Sequence, residues 1–375
     1  MNEPDVSDFN LVDLLSTPQA EVARQMRICN ACRYCEGLCA VFPAMEERRS
    51  FGAADVDYLA NLCHNCGACY QACQYAPPHE FAINVPQAMA GLREESYARY
   101  AWPRAFAGLF AANGLWLGVV GALATAAFLI GLIASHRPGA LFDVYRGPGA
   151  FYALIPHGVL ATLFGLLFGY AVLAMGMSVR RFWQSSERIH TLASGSIRQA
   201  AHDAATLKYL HGGGPGCTVD DDRPDDRRRR YHHATAYGFM LCLASTSLAT
   251  VCHYFGIEAP YPVWHPVVLL GVIGGLGLVV GPIGLLKGRA ARVKTESGSH
   301  VADIGLTFIV MLLATSISGL ALLVLRATPA MGLVLALHLG IVAALFISLP
   351  YGKFVHGLHR VAALVRHAHE QRAKR

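Results

Sequence analysis

Residues 29–39 read CNACRYCEGLC, and residues 63–73 read CHNCGACYQAC. Both runs have the spacing C-x2-C-x2-C-x3-C, the ligand pattern of proteins that hold two [4Fe–4S] clusters. The two-residue gaps let three thiolates of one run surround one side of a cubane, and the fourth thiolate comes from the other run. The predicted ligands of one cluster are Cys29, Cys32, Cys35 and Cys73. Those of the other cluster are Cys39, Cys63, Cys66 and Cys69.

Zinc ions and disulfide bonds are the alternatives for these cysteines. Zinc sites pair two CxxC knuckles across a longer gap, whereas each run here packs four cysteines into 11 residues. The first ten residues are acidic and contain no apolar run, so we expect no secretory signal peptide. In the cytoplasm, a dense cysteine pattern is more typical of metal binding than of disulfides.

The flanks of the two runs indicate a helical head domain. No proline directly follows the fourth cysteine of either run, because Pro43 and Pro77 come later. This departure moves the pattern away from small bacterial ferredoxins and toward the helical ferredoxin domains of respiratory dehydrogenases. We predict an N-terminal extension over residues 1–24 and a two-cluster, ferredoxin-like domain over 25–90.

The rest of the chain is much more apolar. The whole chain is 54% hydrophobic and 15% charged, whereas soluble domains are about 45–50% apolar and about 25% charged. We therefore predict a mainly α protein whose membrane domain, 112–352, is a six-helix transmembrane bundle, rather than a large soluble helical protein. The six windows of about 20 apolar residues are 112–134, 154–178, 233–253, 266–286, 304–325 and 330–349.

The distribution of basic residues predicts the orientation in the membrane. Of the 31 Lys and Arg residues, 28 fall on one side of the six windows, and the side richer in basic residues is cytoplasmic. We expect a multi-pass protein of the bacterial inner membrane with both termini, the loop 179–232 and the basic tail 353–375 in the cytoplasm. The segment 91–111 mixes arginines with aromatic residues and is predicted to be an amphipathic, interfacial linker. The net charge of +6 follows from this topology, so we expect no nucleic-acid partner.

Histidines within the spans predict haem ligation, because a histidine in a membrane helix is costly and marks a functional site. His338 and His356 are 18 residues apart, which is five helical turns if the helix continues past Pro350. His232 and His253 are 21 apart and lie within about 60° of one face. Because these two spans run in opposite directions, His253 is predicted to be level with His338, and His232 with His356.

This arrangement suits one or two b-type haems. The alternative is that these imidazoles make ordinary polar contacts between helices or with lipid headgroups. His157, early in the second window, is a further candidate on the outer side.

Several blocks of sequence, in both the head and the body, resemble a known family. The first is residues 63–81, CHNCGACYQACQYAPPHEF. The others are 209–216 (YLHGGGPG), 231–238 (YHHATAYG), 258–262 (EAPYP) and 328–357 (TPAMGLVLALHLGIVAALFISLPYGKFVHG). Together they resemble the tricarballylate/citrate utilization protein B family. The resemblance implies a membrane-bound iron–sulfur and haem protein that reoxidises the reduced FAD of a partner tricarballylate dehydrogenase and passes electrons to the quinone pool.

The resemblance carries cluster ligation onto the eight cysteines named above, whereas the haem ligands rest on helical geometry alone. We expect an electron conduit whose FAD-dependent partner docks on the cytoplasmic face and whose acceptor is a membrane quinone. No Ser-His-Asp, P-loop or Rossmann pattern indicates carbon chemistry. A membrane-anchored iron–sulfur redox sensor and a conduit for a different flavoprotein are the alternatives. A transporter is disfavoured, because the spans lack acidic and basic residues for ion coupling.

Overall fold

The computed structural model describes residues 17–111, 113–185, 189, 191–212, 225–295 and 304–374. These residues form α-helices and short 3-10 helices, with no β-strand among them. In chain order the α-helices are α1 Pro18–Cys32, α2 Val41–Glu46, α3 Ala53–Leu62, α4 Ala68–Gln71, α5 Val85–Tyr100, α6 Asn113–Ser135, α7 His157–Ser185, α8 Ser196–Ala205, α9 Arg227–Tyr254, α10 Pro266–Thr295, α11 Ile304–Leu325, α12 Met331–Ser348 and α13 Val355–Ala373. The prediction of a mainly α protein is confirmed.

The chain forms two compact units. The head unit comprises Met1–Arg104, Met177–Asp226 and Val355–Arg375, and the bundle unit comprises Ala105–Gly176 and Arg227–Phe354. The head unit is therefore built from three separate pieces of sequence. The predicted N-terminal extension 1–24 is described only from residue 17, and the family block 209–216 only to residue 212.

Much of the predicted linker 91–111 is part of the core of the head unit. Residues 85–100 form α5, which packs against α1 and α3. Leu92 and Tyr97 have no exposed surface, and Arg93 is also buried. These side chains fill a protein core, so residues 91–104 belong to the head unit. A membrane-interface position for the linker 91–111 stays a prediction.

The predicted basic tail is also part of the head, as helix α13. Glu370 on α13 accepts hydrogen bonds from Arg48 (2.7 Å), from Arg366 (2.9 Å) and from the hydroxyl of Tyr58 (3.1 Å). The guanidinium groups of Arg48 and Arg366 also lie over the Tyr58 ring, 4.7 and 4.6 Å from its centroid. A basic tail looks solvated in sequence, but its charges are paired here with charges of the N-terminal segment.

The bundle unit contains the apolar helices. Six helical segments are long and apolar enough to span a membrane: Gly114–Ser135, His157–Ser185, Arg227–Tyr254, Pro266–Ala290, Ile304–Leu325 and Met331–Ala373. Each predicted window overlaps one of these segments: 233–253, 266–286 and 304–325 lie within theirs, and the other three begin one to three residues earlier. Six such segments fit a multi-pass membrane protein. The first five match single helices. The last combines α12, a 3-10 turn Leu349–Tyr351 and α13.

Helices α9 and α10 are in unusually close contact through glycines. A Cβ added to Gly274 would come within 2.8 Å of the Gly238 carbonyl oxygen, and one added to Gly277 within 2.9 Å of the Ala234 carbonyl oxygen. Small residues allow such backbone contact between membrane helices, where packing drives association. The glycine-rich sequence of 270–284 is therefore used for helix packing, as its composition predicts.

Candidate functional site

The first cysteine group, consisting of Cys29, Cys32, Cys35 and Cys73, lines one cavity of about 210 Å³. Cys29 and Cys32 occupy the last turn of α1. Arg33 then adopts a left-handed conformation with φ of 56°, and its N–H donates to the Cys29 carbonyl. This sharp end to the helix turns the chain back, so that Cys35 faces the same cavity. Tyr34 beside it is 73% exposed, so this group lies near the surface of the head.

The second cysteine group, consisting of Cys39, Cys63, Cys66 and Cys69, lines a separate cavity. Helix α3 ends at Leu62, and Cys63 continues in an extended conformation. The backbone N–H of Asn65 donates to Cys63 Sγ at 3.4 Å. Gly67, with φ of 83°, then starts α4 in a conformation that a side chain would strain. Cys63 and Cys66 are buried.

The structure thus brings together the two sets of four cysteines that the spacing predicts. Each set takes three thiols from one run and the fourth from the other, so the two runs are interlocked. Burial raises the pKa of Cys29 to about 12, with a further contribution from the neighbouring thiols of its group. The pKa values of Cys39 and Cys69 are raised for the same reasons. Sets of thiolates this close need compensating positive charge, which the iron of a cluster supplies.

The donor arrangement fits iron–sulfur clusters better than zinc or disulfides. All eight cysteines are free thiols. Within the described ranges, no three His, Cys, Asp or Glu side chains converge as ligands of a single metal ion. A zinc site draws four ligands onto one ion, whereas in a [4Fe–4S] cluster the four thiolates bind different irons around a larger body. Thiols that surround a cavity suit the second case.

Two arginines bind the backbone of a predicted cluster ligand. Arg93 on α5 donates from Nη1 to the Cys63 carbonyl oxygen at 2.7 Å, and Arg360 on α13 donates from Nη2 to the same oxygen at 2.5 Å. Both residues belong to the head unit. Sequence analysis missed them, because nothing in a local pattern connects residues 30 and 297 positions away from Cys63.

The predicted histidine pair His253 and His338 is not supported. His253 stacks on His157, with ring centroids 3.7 Å apart and an interplanar angle of 23°. Tyr152 also contacts the His253 ring, at 4.9 Å. His253 is the second-last residue of α9, whereas His338 lies seven residues into α12, a rise of about 10 Å. The further candidate His157, rather than His338, is the structural partner of His253.

Neighbouring residues fix the orientation of the His338 imidazole. Its Nδ1 lies 3.0 Å from the Ser318 hydroxyl. Gly319 faces the ring, and a Cβ at that position would come within 3.0 Å of Cε1. A hydrogen bond at Nδ1 orients the ring and leaves Nε2 to coordinate, the usual arrangement for a metal-bound histidine. His338 therefore fits a haem ligand.

The phase argument for His338 and His356 is wrong. It required one helix to continue past Pro350, but α12 ends at Ser348 and α13 begins at Val355. A proline inside a helix removes a hydrogen bond and clashes with the preceding turn, and the chain forms the 3-10 turn Leu349–Tyr351 here. His356 belongs to the head unit and His232 to the bundle unit. Haem ligation by either stays a prediction.

Both the head and the body of the chain match known proteins. The family model described as citrate utilization protein B matches residues 108–375. The model described as the Fer4-like domain of citrate utilization protein B matches residues 22–99, a range that contains both cysteine groups. The chain is 50% identical over 361 residues to citrate utilization protein B of Escherichia coli, covering 96% of this chain and 94% of that protein. No solved structure matches the chain.

Proposed function

The chain belongs to the citrate utilization protein B family, and from this premise we propose that it carries electrons from a soluble dehydrogenase to the quinone pool. The donor in this proposal is the reduced FAD of a dehydrogenase that oxidises tricarballylate or a related tricarboxylate. The observation that carries the proposal is the pair of interlocked cysteine groups in a head covalently joined to six membrane helices.

The eight cysteines would hold two [4Fe–4S] clusters, which supply one-electron carriers when bound. The protein's own contribution is to hold the two sites in one rigid core and to exclude water from the second. Apolar residues perform this role. Phe42 lines both cavities, Ile83 lines the first and Val85 the second, and all three are buried.

We also propose a b-type haem in the bundle unit, with His338 as one axial ligand. The Ser318 hydroxyl holds the orientation of this imidazole, and the ring occupies space that a side chain at position 319 would restrict. His157, at the start of α7, and His253, near the end of α9, are the other candidates. The buried Nδ1 of His253 has no hydrogen-bond partner in the described part of the chain.

The proposed location is the bacterial inner membrane, with the head unit in the cytoplasm. The support is the distribution of Lys and Arg: 28 of the 31 lie on the same side of the six spans as the head. Basic residues remain on the cytoplasmic side. A cytoplasmic head would meet a soluble dehydrogenase directly. Lipid surrounds the bundle, and the proposal involves no nucleic acid.

The test counts cofactors and follows electrons in the same preparation. The detergent-purified protein should contain about eight irons in clusters, give two cluster signals by electron paramagnetic resonance (EPR), and show a b-type haem spectrum. After reduction, a soluble quinone analogue should reoxidise the clusters rapidly. Intact clusters without reoxidation by quinone would instead favour the redox sensor. Clusters and quinone reduction without haem absorbance would remove haem from the proposal.

Cysteine variants test the interlocked assignment. Cys39→Ser should alter the same EPR signal as Cys66→Ser, although Cys39 lies in the first run. Cys73→Ser should alter the same signal as Cys32→Ser. If Cys39→Ser and Cys32→Ser alter one signal, each run holds its own cluster and the assignment is wrong.

A further inference from the structure

The backbone of Cys63 carries an unusual concentration of positive charge. Its carbonyl oxygen accepts hydrogen bonds from two guanidinium groups, at 2.7 Å from Arg93 and 2.5 Å from Arg360. A carbonyl oxygen has two lone pairs, and here both accept from charged groups. The hydrogen bonds therefore place two positive charges beside one ligand of the second cysteine group.

Arg93 is buried in the head unit, and Arg360 is partly buried there. Arg93 is 6% exposed, and Arg360 reaches the same oxygen from α13 with its Nε 3.4 Å from the Asn61 carbonyl oxygen. Charges in such surroundings are screened much less than charges in water. Their influence on a neighbouring group is correspondingly large.

The first cysteine group has different surroundings. Arg33, the arginine within its run, is exposed and directs Nε toward the Asn30 carbonyl oxygen. No Lys or Arg side chain lines either cavity, so the difference between the sites lies in the two arginines that bind the Cys63 carbonyl. Water screens the charge of the exposed Arg33, and the exposed Tyr34 places the first site near the surface.

A cluster gains one negative charge when it is reduced. Burial alone opposes this charge and lowers the reduction potential, whereas a buried positive charge nearby favours it and raises the potential. Two guanidinium groups within hydrogen-bond distance of one ligand carbonyl offset the effect of burial on the reduction potential of the second cluster. The first site has no comparable compensation.

We propose that Arg93 and Arg360 raise the reduction potential of the cluster on the second cysteine group above that of the first. Electrons then enter at the first group, which lies beside the exposed Tyr34, and leave from the second group, in which Cys63 and Cys66 are buried. This inference rests on the proposed function only in requiring both clusters to be present. It assigns a positioning role to an arginine of the C-terminal helix that lies 297 residues from the ligand it contacts.

The test is a redox titration of the holoprotein in detergent, followed by EPR. Signals are assigned with Cys32→Ser for the first group and Cys66→Ser for the second. In the wild type, the second cluster should have the higher midpoint potential. The reverse order would overturn the proposal without the need for any arginine variant.

The variants separate charge from structure. In Arg360→Gln, at the wild-type midpoint of the second cluster, the ratio of reduced to oxidised cluster should fall about tenfold, which is about 59 mV for one electron. The first cluster should be unchanged. Arg360→Met provides the same loss of charge if the Gln variant does not assemble both clusters. Arg360→Lys should stay within about threefold of the wild type.

Arg372→Gln is the matched control, since it removes one charge from the same helix at a residue that donates to Ser194 and not to Cys63. It should leave both midpoints unchanged. An unchanged second cluster in Arg360→Gln, or an equal shift of both clusters, would refute the inference. Because the titration uses neither quinone nor dehydrogenase, these outcomes are independent of the failure of the proposed function.

Discussion

Replacing Glu370 with Gln tests whether α13 is held in the head by buried charge. The carboxylate accepts from Arg48, Arg366 and Tyr58, and the two arginine side chains are only 8% exposed. Breaking a buried ion pair by removing one partner costs about 3–5 kcal/mol. Glu370 is 18% exposed, and Arg48 keeps Asp55 at 2.9 Å. We therefore take the low end, about 3 kcal/mol, which is roughly a 100-fold change in an equilibrium constant.

The assay is hydrogen–deuterium exchange of the intact protein, read at the amides of α13. Opening of this helix should become about 100-fold more frequent in Glu370→Gln, because local opening is governed by the contacts that hold the segment. Glu47→Gln is the matched control. Glu47 pairs with Lys374, which is 51% exposed, and exposed pairs contribute about 0–1 kcal/mol. Equal exchange rates of α13 in the two variants would refute the reasoning.

Three further predictions concern the bundle unit. Gly274→Ala should lower the thermal stability of the detergent-solubilised protein by about 1–3 kcal/mol, because its Cβ would overpack α9. Gly288→Ala on the same helix, where a Cβ meets no atom within 4 Å, should have no such cost, and similar melting curves for the two would contradict the packing argument. His338→Ala should remove the haem spectrum while leaving both cluster signals, and a full haem content in this variant would exclude His338 as a ligand. An alkaline phosphatase fusion at residue 142 should be active and one at residue 374 inactive in whole cells, and the opposite pattern would invert the proposed orientation.

The parts of the structure that local sequence determines were predictable. Three thiols within one run can reach one cavity because two-residue gaps bring them there. Residues 304–325 could be identified as a span because an uninterrupted apolar stretch of this length has few other uses. The glycines of 270–284 likewise indicated a close helix contact. In each case the physical cause acts between residues near in sequence.

The errors have a common origin in contacts between distant segments. Arg360 and Glu370 look like solvated charges of a basic tail until Cys63 and Arg48 are placed beside them. The helical phase of His338 and His356 would be correct for one continuous helix, but helix α12 ends at Ser348. Periodicity describes one helix at a time. It cannot show which histidine of another helix is nearest.

The discontinuity of the head unit determines when its core is completed during synthesis. Synthesis and folding proceed from the N-terminus, and the ribosome makes α13 only after the apolar helices α6, α7, α9, α10, α11 and α12. Until then the Cys63 carbonyl lacks Arg360, and Arg48 lacks Glu370. The core of the head unit is thereby completed only after the membrane helices have been made.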